Sequence, residues 1–338
     1  MMRLTVGMKL GLGIGLLCGL FAITGLVSNT QTRLLDQRVR EMTEVDEPTS
    51  VAAFEVEINL IGTGFALLGY LHDRDPRHLE RIREDTKDFE RNQRQYNRLA
   101  ETQKGKDLGD KVDRGFARFR EMAGELIRIE DEQTRKTDVL LDNLDKMDAL
   151  LDEKIQASIR PDDPDAYEKL QAALEMEINT NGIAKGLGNF LRTHAPQYEE
   201  RVRKDEQDFK DYLSRYQRLP LSSLEKEWAA EVSRLFGHSV TLVREIIALD
   251  KQKERGLAEF VRIRRELDTV LDEEIQVLTH KDLHEAKEAV HNTVTRTNTV
   301  NALLLLGGLA FGSLAAVVAA RSVTKPVDQL LSVTRAIA

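Results

Sequence analysis

The stretch Arg81-Ile-Arg-Glu-Asp-Thr-Lys-Asp-Phe89 returns 120 residues later as Arg201-Val-Arg-Lys-Asp-Glu-Gln-Asp-Phe209. Sliding the chain against itself by that offset aligns its middle part without a gap. Glu55, Glu57, Ile58 and Asn59 fall on Glu175, Glu177, Ile178 and Asn179. Gly62, Leu71 and Pro76 fall on Gly182, Leu191 and Pro196, and Tyr96, Arg98 and Leu99 on Tyr216, Arg218 and Leu219. Much later, Leu151-Asp-Glu-Lys-Ile-Gln156 matches Leu271-Asp-Glu-Glu-Ile-Gln276. So many matches in one register mark a duplicated unit, with copies at about 49–160 and 164–280.

Each copy reads as three helices. The first, over 49–72, carries Val51, Phe54, Ile58, Ile61, Phe65 and Leu68 at alternating spacings of three and four, the mark of a packed helix face. Pro48 breaks or kinks that helix just before it. Asp75-Pro76 opens the second helix with a capping residue and a proline in the first turn. The third begins near Lys106 and runs to Ser158, where Pro161-Asp-Asp-Pro164 stops it. In copy two, Ser222 and Glu225 stand at capping-box spacing ahead of the last long helix.

Helix length then selects an architecture. At 1.5 Å per residue the third helix spans roughly 80 Å, about twice the second, so one short partner cannot cover it. Both long helices turn polar at mid-length, in EDEQTRK at 130–136 and DKQKERG at 250–256, which are equivalent positions of the repeat. The expectation is an all-α fold of two stacked four-helix bundles meeting at those segments.

Two apolar stretches flank the repeat, at 10–27 and 300–320, each long enough for a bilayer of ~20 residues. Arg3 and Lys9 precede the first, and Arg321 and Lys325 follow the second. That charge bias puts residues 1–9 and the stretch after 320 in the cytoplasm, and residues 28–299 outside it. Gly7, Gly11, Gly15 and Gly19, and Gly308, Gly312, Ala316 and Ala320, form small-residue stripes that suit spans packed in a homodimer. The net charge of −8 argues against a nucleic-acid partner, which needs a basic surface. A single cysteine, Cys18, excludes an intrachain disulfide and a cysteine zinc cluster.

The paired spans, the length between them and the duplicated helices resemble the helical bimodular sensor domain of bacterial chemoreceptors and some histidine kinases. After the second span, Arg321-Ser-Val-Thr-Lys-Pro326-Val-Asp-Gln-Leu330 with Ile337-Ala338 is similar to the first helix of a HAMP domain. The resemblance implies a receptor of the inner membrane, of the methyl-accepting chemotaxis kind or the sensor part of a histidine kinase. Its domain 28–299 would lie in the periplasm and bind a small organic acid, or else dock a periplasmic binding protein. An output module would follow HAMP.

Candidate site residues come from differences between the copies. Ile61, Phe65, Leu68 and His72 of copy one become Asn181, Lys185, Gly188 and Arg192 in copy two. Cations at positions that are apolar in the sister copy suit an internal carboxylate anchor. The alternative is a helix rotated to bury Ile183, Leu187 and Phe190, with the polar set wet. Arg120 shares a helix face with Phe116, Ala123 and Ile127 where copy two has Val240, and Asn59 is its candidate partner. Phe89, Tyr96, Phe116 and their equivalents Phe209, Tyr216 and Phe236 read as core. The Glu55/Glu57 and Glu175/Glu177 pairs recur in both copies, which points to packing or capping rather than acid–base chemistry. His280, His284 and His291 share a face, but without a zincin glutamate they read as a solvated or dimer-facing stripe. No catalytic residue, metal or cofactor is expected.

Overall fold

The computed structural model describes residues 5–337. Among them 94% are helical and no strand occurs, so the fold is all-α. In chain order the helices are α1 (Val6–Glu41), α2 (Glu47–Asp73), α3 (Pro76–Leu99), α4 (Gln103–Ala149), α5 (Ala166–Thr193), α6 (Pro196–Arg218), α7 (Ser223–Thr269) and α8 (Val277–Ile337). Three π-helical segments, Met42–Asp46, Leu150–Gln156 and Val270–Gln276, sit between α1 and α2, at the end of α4, and between α7 and α8. Pro48 falls in the first turn of α2, directly after the first of them.

Secondary structure repeats with the sequence. α4 and α7 are each 47 residues long, and the π segments that follow them are seven residues each. α2 and α5 both end in a left-handed residue, Arg74 at φ 58° and His194 at φ 55°, which turns the chain into the proline that opens the next helix. The matched side chains meet in the same way. Asn59 and Asn179 donate to the carbonyls of Glu55 and Glu175, at 2.6 and 2.7 Å. Gln276 donates to Glu57, and Gln156 to Glu177 at 2.9 Å. Glu57 and Glu177 thus each hold the glutamine at the end of a π segment.

The chain forms two compact units. Unit 1 takes the chain up to Asn59, Thr86–Val112, and everything from Asp268 onward. Its core joins Ala52 and Val56 of α2, Phe89 and Tyr96 of α3, and Leu271 and Ile275 of the last π segment. Unit 2 takes Leu60–Asp85 and Asp113–Leu267. There Phe119 stacks on Phe260 at 4.5 Å and Phe209 on Phe236 at 3.8 Å. All six aromatics expected in the core are buried.

Unit 2 explains why Gly62 and Gly182 recur. A side chain at either would collide with a buried carboxylate, Asp85 or Asp205. Arg81 holds the first at 2.8 Å and Arg201 the second at 3.0 Å. Glycine costs a helix about 1 kcal/mol, here offset by the close approach of that carboxylate.

The apolar line on α2 is corrected by the structure. The helix buries Ala52, Ala53, Val56, Leu60, Thr63, Leu67 and Tyr70. Val51, Phe54, Ile58, Phe65 and Leu68 remain between 40% and 63% exposed. Two apolar faces compete on this helix, and the inside goes to the one that mixes small residues, Ala52, Ala53, Thr63 and Ala66, with Val56, Leu60, Leu67 and Tyr70, the small ones letting neighbouring side chains come close.

Two helices are long and apolar enough to cross a membrane. In unit 1, Gly308 and Gly312 of α8 lie against Leu20 and Leu17 of α1, so the second glycine stripe serves contact within one chain. Gly7, Gly11, Gly15 and Gly19 have no contact of this kind among the described residues. Arg3 and Ala338, and the side chains of Lys9, Pro326, Leu330 and Ile337, lie outside the described residues.

Candidate functional site

The polar middle segments of α4 and α7 come together inside unit 2, and the left-handed ends of α2 and α5 bring a charged or chargeable side chain to each. Arg74 Nε stands 2.7 Å from Glu130 Oε1, and His194 Nε2 stands 2.9 Å from Asp250 Oδ2. Arg74 and His194 are repeat equivalents, as are Glu130 and Asp250. Both carboxylates are nearly inaccessible, at 1% and 2% exposure. Lys253 links them, with Nζ 3.0 Å from Glu130 and 3.6 Å from Asp250, and it donates to Gln133 Oε1 at 2.6 Å. Gln133, the repeat equivalent of Lys253, donates to Asp250 Oδ1 at 3.2 Å. Buried carboxylates without such partners would each cost several kcal/mol, so this network pins helix register.

The copies differ around it. Tyr70 of α2 donates to Asp131, and that bond first, burial second, pushes its hydroxyl up to about 12. The equivalents are Phe190 and Lys251; there the ammonium lies 5.7 Å from the ring and pairs with Glu199 at 2.7 Å.

At the end of unit 2 where α5 begins and α6 turns into α7, Lys169 is buried and ion-paired to Asp163 at 2.7 Å and Glu225 at 2.9 Å. Burial pulls its ammonium down, but the two carboxylates outweigh this and the net direction is up. Glu225 also closes the capping box expected with Ser222, accepting from its backbone N–H at 2.6 Å and donating its own N–H to Ser222 Oγ at 3.3 Å.

The equivalent place in unit 1 has Thr49 for the lysine and Gly105 for the glutamate. A cavity of about 160 Å³ opens there, lined by Thr49, Tyr96, Gly105, Asp46, Glu101 and Asp282. Burial first, then the neighbouring carboxylates, raise Asp46 above the usual carboxylate range. Asp282 is raised by burial and Glu285 against the pull of Lys281 and Lys104. Burial and Asp282 push Tyr96 up to about 12.

The residues singled out from sequence lie elsewhere. Asn181, Lys185 and Arg192 share the exposed face of α5, while Ile183, Leu187 and Phe190 take the core. That is the second of the two placements weighed. Arg192 donates to Asn189 at 3.0 Å. In unit 1, Asn59 is buried and bonded back to its own helix; in unit 2, Arg120 is exposed. His280 and His284 line an open groove beside Phe54 and Val277, and His284 lies 3.5 Å from Glu288. The charged network escaped the sequence reading because its anchors are residues beyond helix ends, where periodicity carries no signal.

No family model matches the chain, and no curated protein matches it.

Proposed function

We propose that this chain is the sensing and membrane-spanning part of a transmembrane signal receptor, of the chemotaxis kind. The observation that carries the reading is α8. One unbroken helix holds residues that pack in unit 1, then the apolar span, then the basic stretch similar to the start of HAMP. A displacement at the start of such a helix is delivered at its far end, the piston or rotation step by which two packings of a bundle are read out. In this reading residues 28–299 form two stacked four-helix bundles in the periplasm, and the working unit is a homodimer.

The exposed line on α2 supports the homodimer. Its a and d spacing over 51–68 is that of a coiled-coil seam, and residues 58–71 carry no charge at all. A second copy, held parallel by its own spans, presents the same seam. A docking function for a periplasmic partner protein is favoured by one observation. Tyr167 and Leu224 stand 77% and 58% exposed at the end of unit 2 tied by Lys169.

The membrane reading is tested by adding protease to intact spheroplasts. Cleavage within 28–299 from outside, with two span-bearing fragments resisting alkaline extraction, is the expected outcome. A chain cut only after lysis, or washed off by alkali, refutes it.

A further inference from the structure

We propose that His194 and Asp250 form a proton-operated latch on the end of α5. The inference starts from the uneven way in which the duplicated network neutralises its two buried carboxylates. Glu130 has two permanent cations close by, Arg74 at 2.7 Å and Lys253 at 3.0 Å. Asp250 has an uncharged amide on Oδ1 and the same Lys253 only at 3.6 Å. Its Oδ2 is buried and accepts no hydrogen bond, although the His194 ring nitrogen stands 2.9 Å away. Where copy one uses a guanidinium that never loses its proton, copy two uses the one side chain whose ordinary titration falls between pH 5 and 8.

The neighbours fit that role. His194 is partly open to water, with 44% of its side chain exposed against 2% for Asp250, so protons reach the ring while the carboxylate stays dry. On its own helix, the Phe190 ring meets the imidazole edge-on at 6.2 Å. The charged groups around the pair are Glu130 on α4, Glu199 on α6, and Lys251 and Lys253 on α7, with Arg74 beyond the end of α2. Of these, Glu130 is already occupied by Arg74 and Lys253, and Lys251 by Glu199.

His194 also stands in the left-handed region, which a residue with a Cβ enters only at a cost. Its N–H bond to the Phe190 carbonyl, 2.7 Å long, and its contact with Asp250 hold it there. Protonated, the imidazolium supplies the charge that Oδ2 lacks, and the α5–α6 turn is clamped on α7. Neutral, the ring keeps one N–H that can face Oδ2 but brings no charge to the buried carboxylate, and the hold on the strained turn weakens. The sign follows. The clamp is strongest with the ring protonated and weakens as pH rises. If the chain is a receptor, as proposed above, this makes external acidity an input to helix register; the latch itself does not depend on that reading.

The test is amide hydrogen exchange on the full chain in detergent micelles from pH 5 to pH 8, corrected for intrinsic rates and read at residues 190–196. In the natural chain, protection there falls by at least about twofold from pH 5 to pH 8. His194→Arg keeps the acid level of protection at every pH, as copy one does around Arg74. His194→Gln stays at the low level throughout. A pH profile in His194→Gln equal to that of the natural chain overturns the latch, as does a profile in His194→Arg that still falls with pH. Both substitutions sit on a partly exposed ring, so folding is not at stake. Residues 70–76 of the same sample report any general loosening. If they follow the same pH profile, the effect is not the latch and the proposal fails.

Discussion

The two copies of the repeat present the same inner contacts and different outer ones. Inside, Gly62 with Asp85 and Arg81 does what Gly182 does with Asp205 and Arg201, and Asn59 and Asn179 bond back along their own helices in the same way. Outside, α2 exposes Val51, Phe54, Ile58, Phe65 and Leu68, with Ile61 half-buried, whereas the same register on α5 reads Leu174, Ile178, Asn181, Lys185 and Gly188. At the helix starts, one copy fills the space with Lys169 and its two carboxylates; the other leaves a cavity with three carboxylates and no lysine. After duplication, packing holds a buried glycine–carboxylate contact fixed, because any change there clashes. Exposed faces and half-buried ends are free to diverge, and each divergence is where the copies can have taken separate tasks.

The largest effect expected from this comparison comes from making copy two resemble copy one. Lys169→Thr leaves Asp163 and the buried Glu225 without their cation, and breaking a buried pair from one side costs about 3–5 kcal/mol. Urea unfolding followed by the fluorescence of Trp228, which packs against this core, measures it. A loss below about 1 kcal/mol would mean that Lys169 is no more than a surface lysine in solution.

Next in size is the seam. Ile58→Ser with Phe65→Ser should weaken self-association of the full chain at least tenfold in sedimentation through detergent, while the helical signal stays constant. Lys185→Ala, at the equivalent of Phe65, should shift neither association nor stability by more than about 0.5 kcal/mol. Equal effects from both sets would erase the difference between α2 and α5.

The smallest effect concerns the acidic cavity. Asp46 and Asp282 sit above their ordinary range, so the folded state holds protons more tightly than the unfolded one. Their contribution is therefore greatest below the normal carboxylate range and fades as pH rises through the raised values toward neutrality. Asp282→Asn should flatten the rise of stability on mild acidification, and Thr49→Lys should raise stability at pH 7 by up to about 1 kcal/mol once screening is allowed for. Thermal melts at pH 5 and pH 7 compare them. If Thr49→Lys destabilises equally at both, the cavity does not accept the ammonium that its sister site holds.

The 120-residue offset, read from Arg81–Phe89 and its echo, settled that the fold is helical, duplicated and closed by prolines at Pro76 and Pro196, because repeats, proline and helical spacing act locally along the chain. The apolar stretches likewise announced two helices fit to cross a membrane, since span length is a property of sequence alone. Periodicity could not choose between the two apolar faces of α2. Val51, Phe54, Ile58, Ile61, Phe65 and Leu68 have the better spacing, yet the small side chains of Ala52, Ala53 and Thr63 went inside. That choice depends on how closely other helices approach. For the same reason Lys185 and Arg192 landed in solvent, because Ile183, Leu187 and Phe190 offered the core more buried area. The pairing of Arg74 with Glu130 and of His194 with Asp250 joins residues 56 positions apart in each copy. Only the tertiary structure could decide it, since the strength of a buried charge pair is set by exclusion of water, and no sequence window contains that.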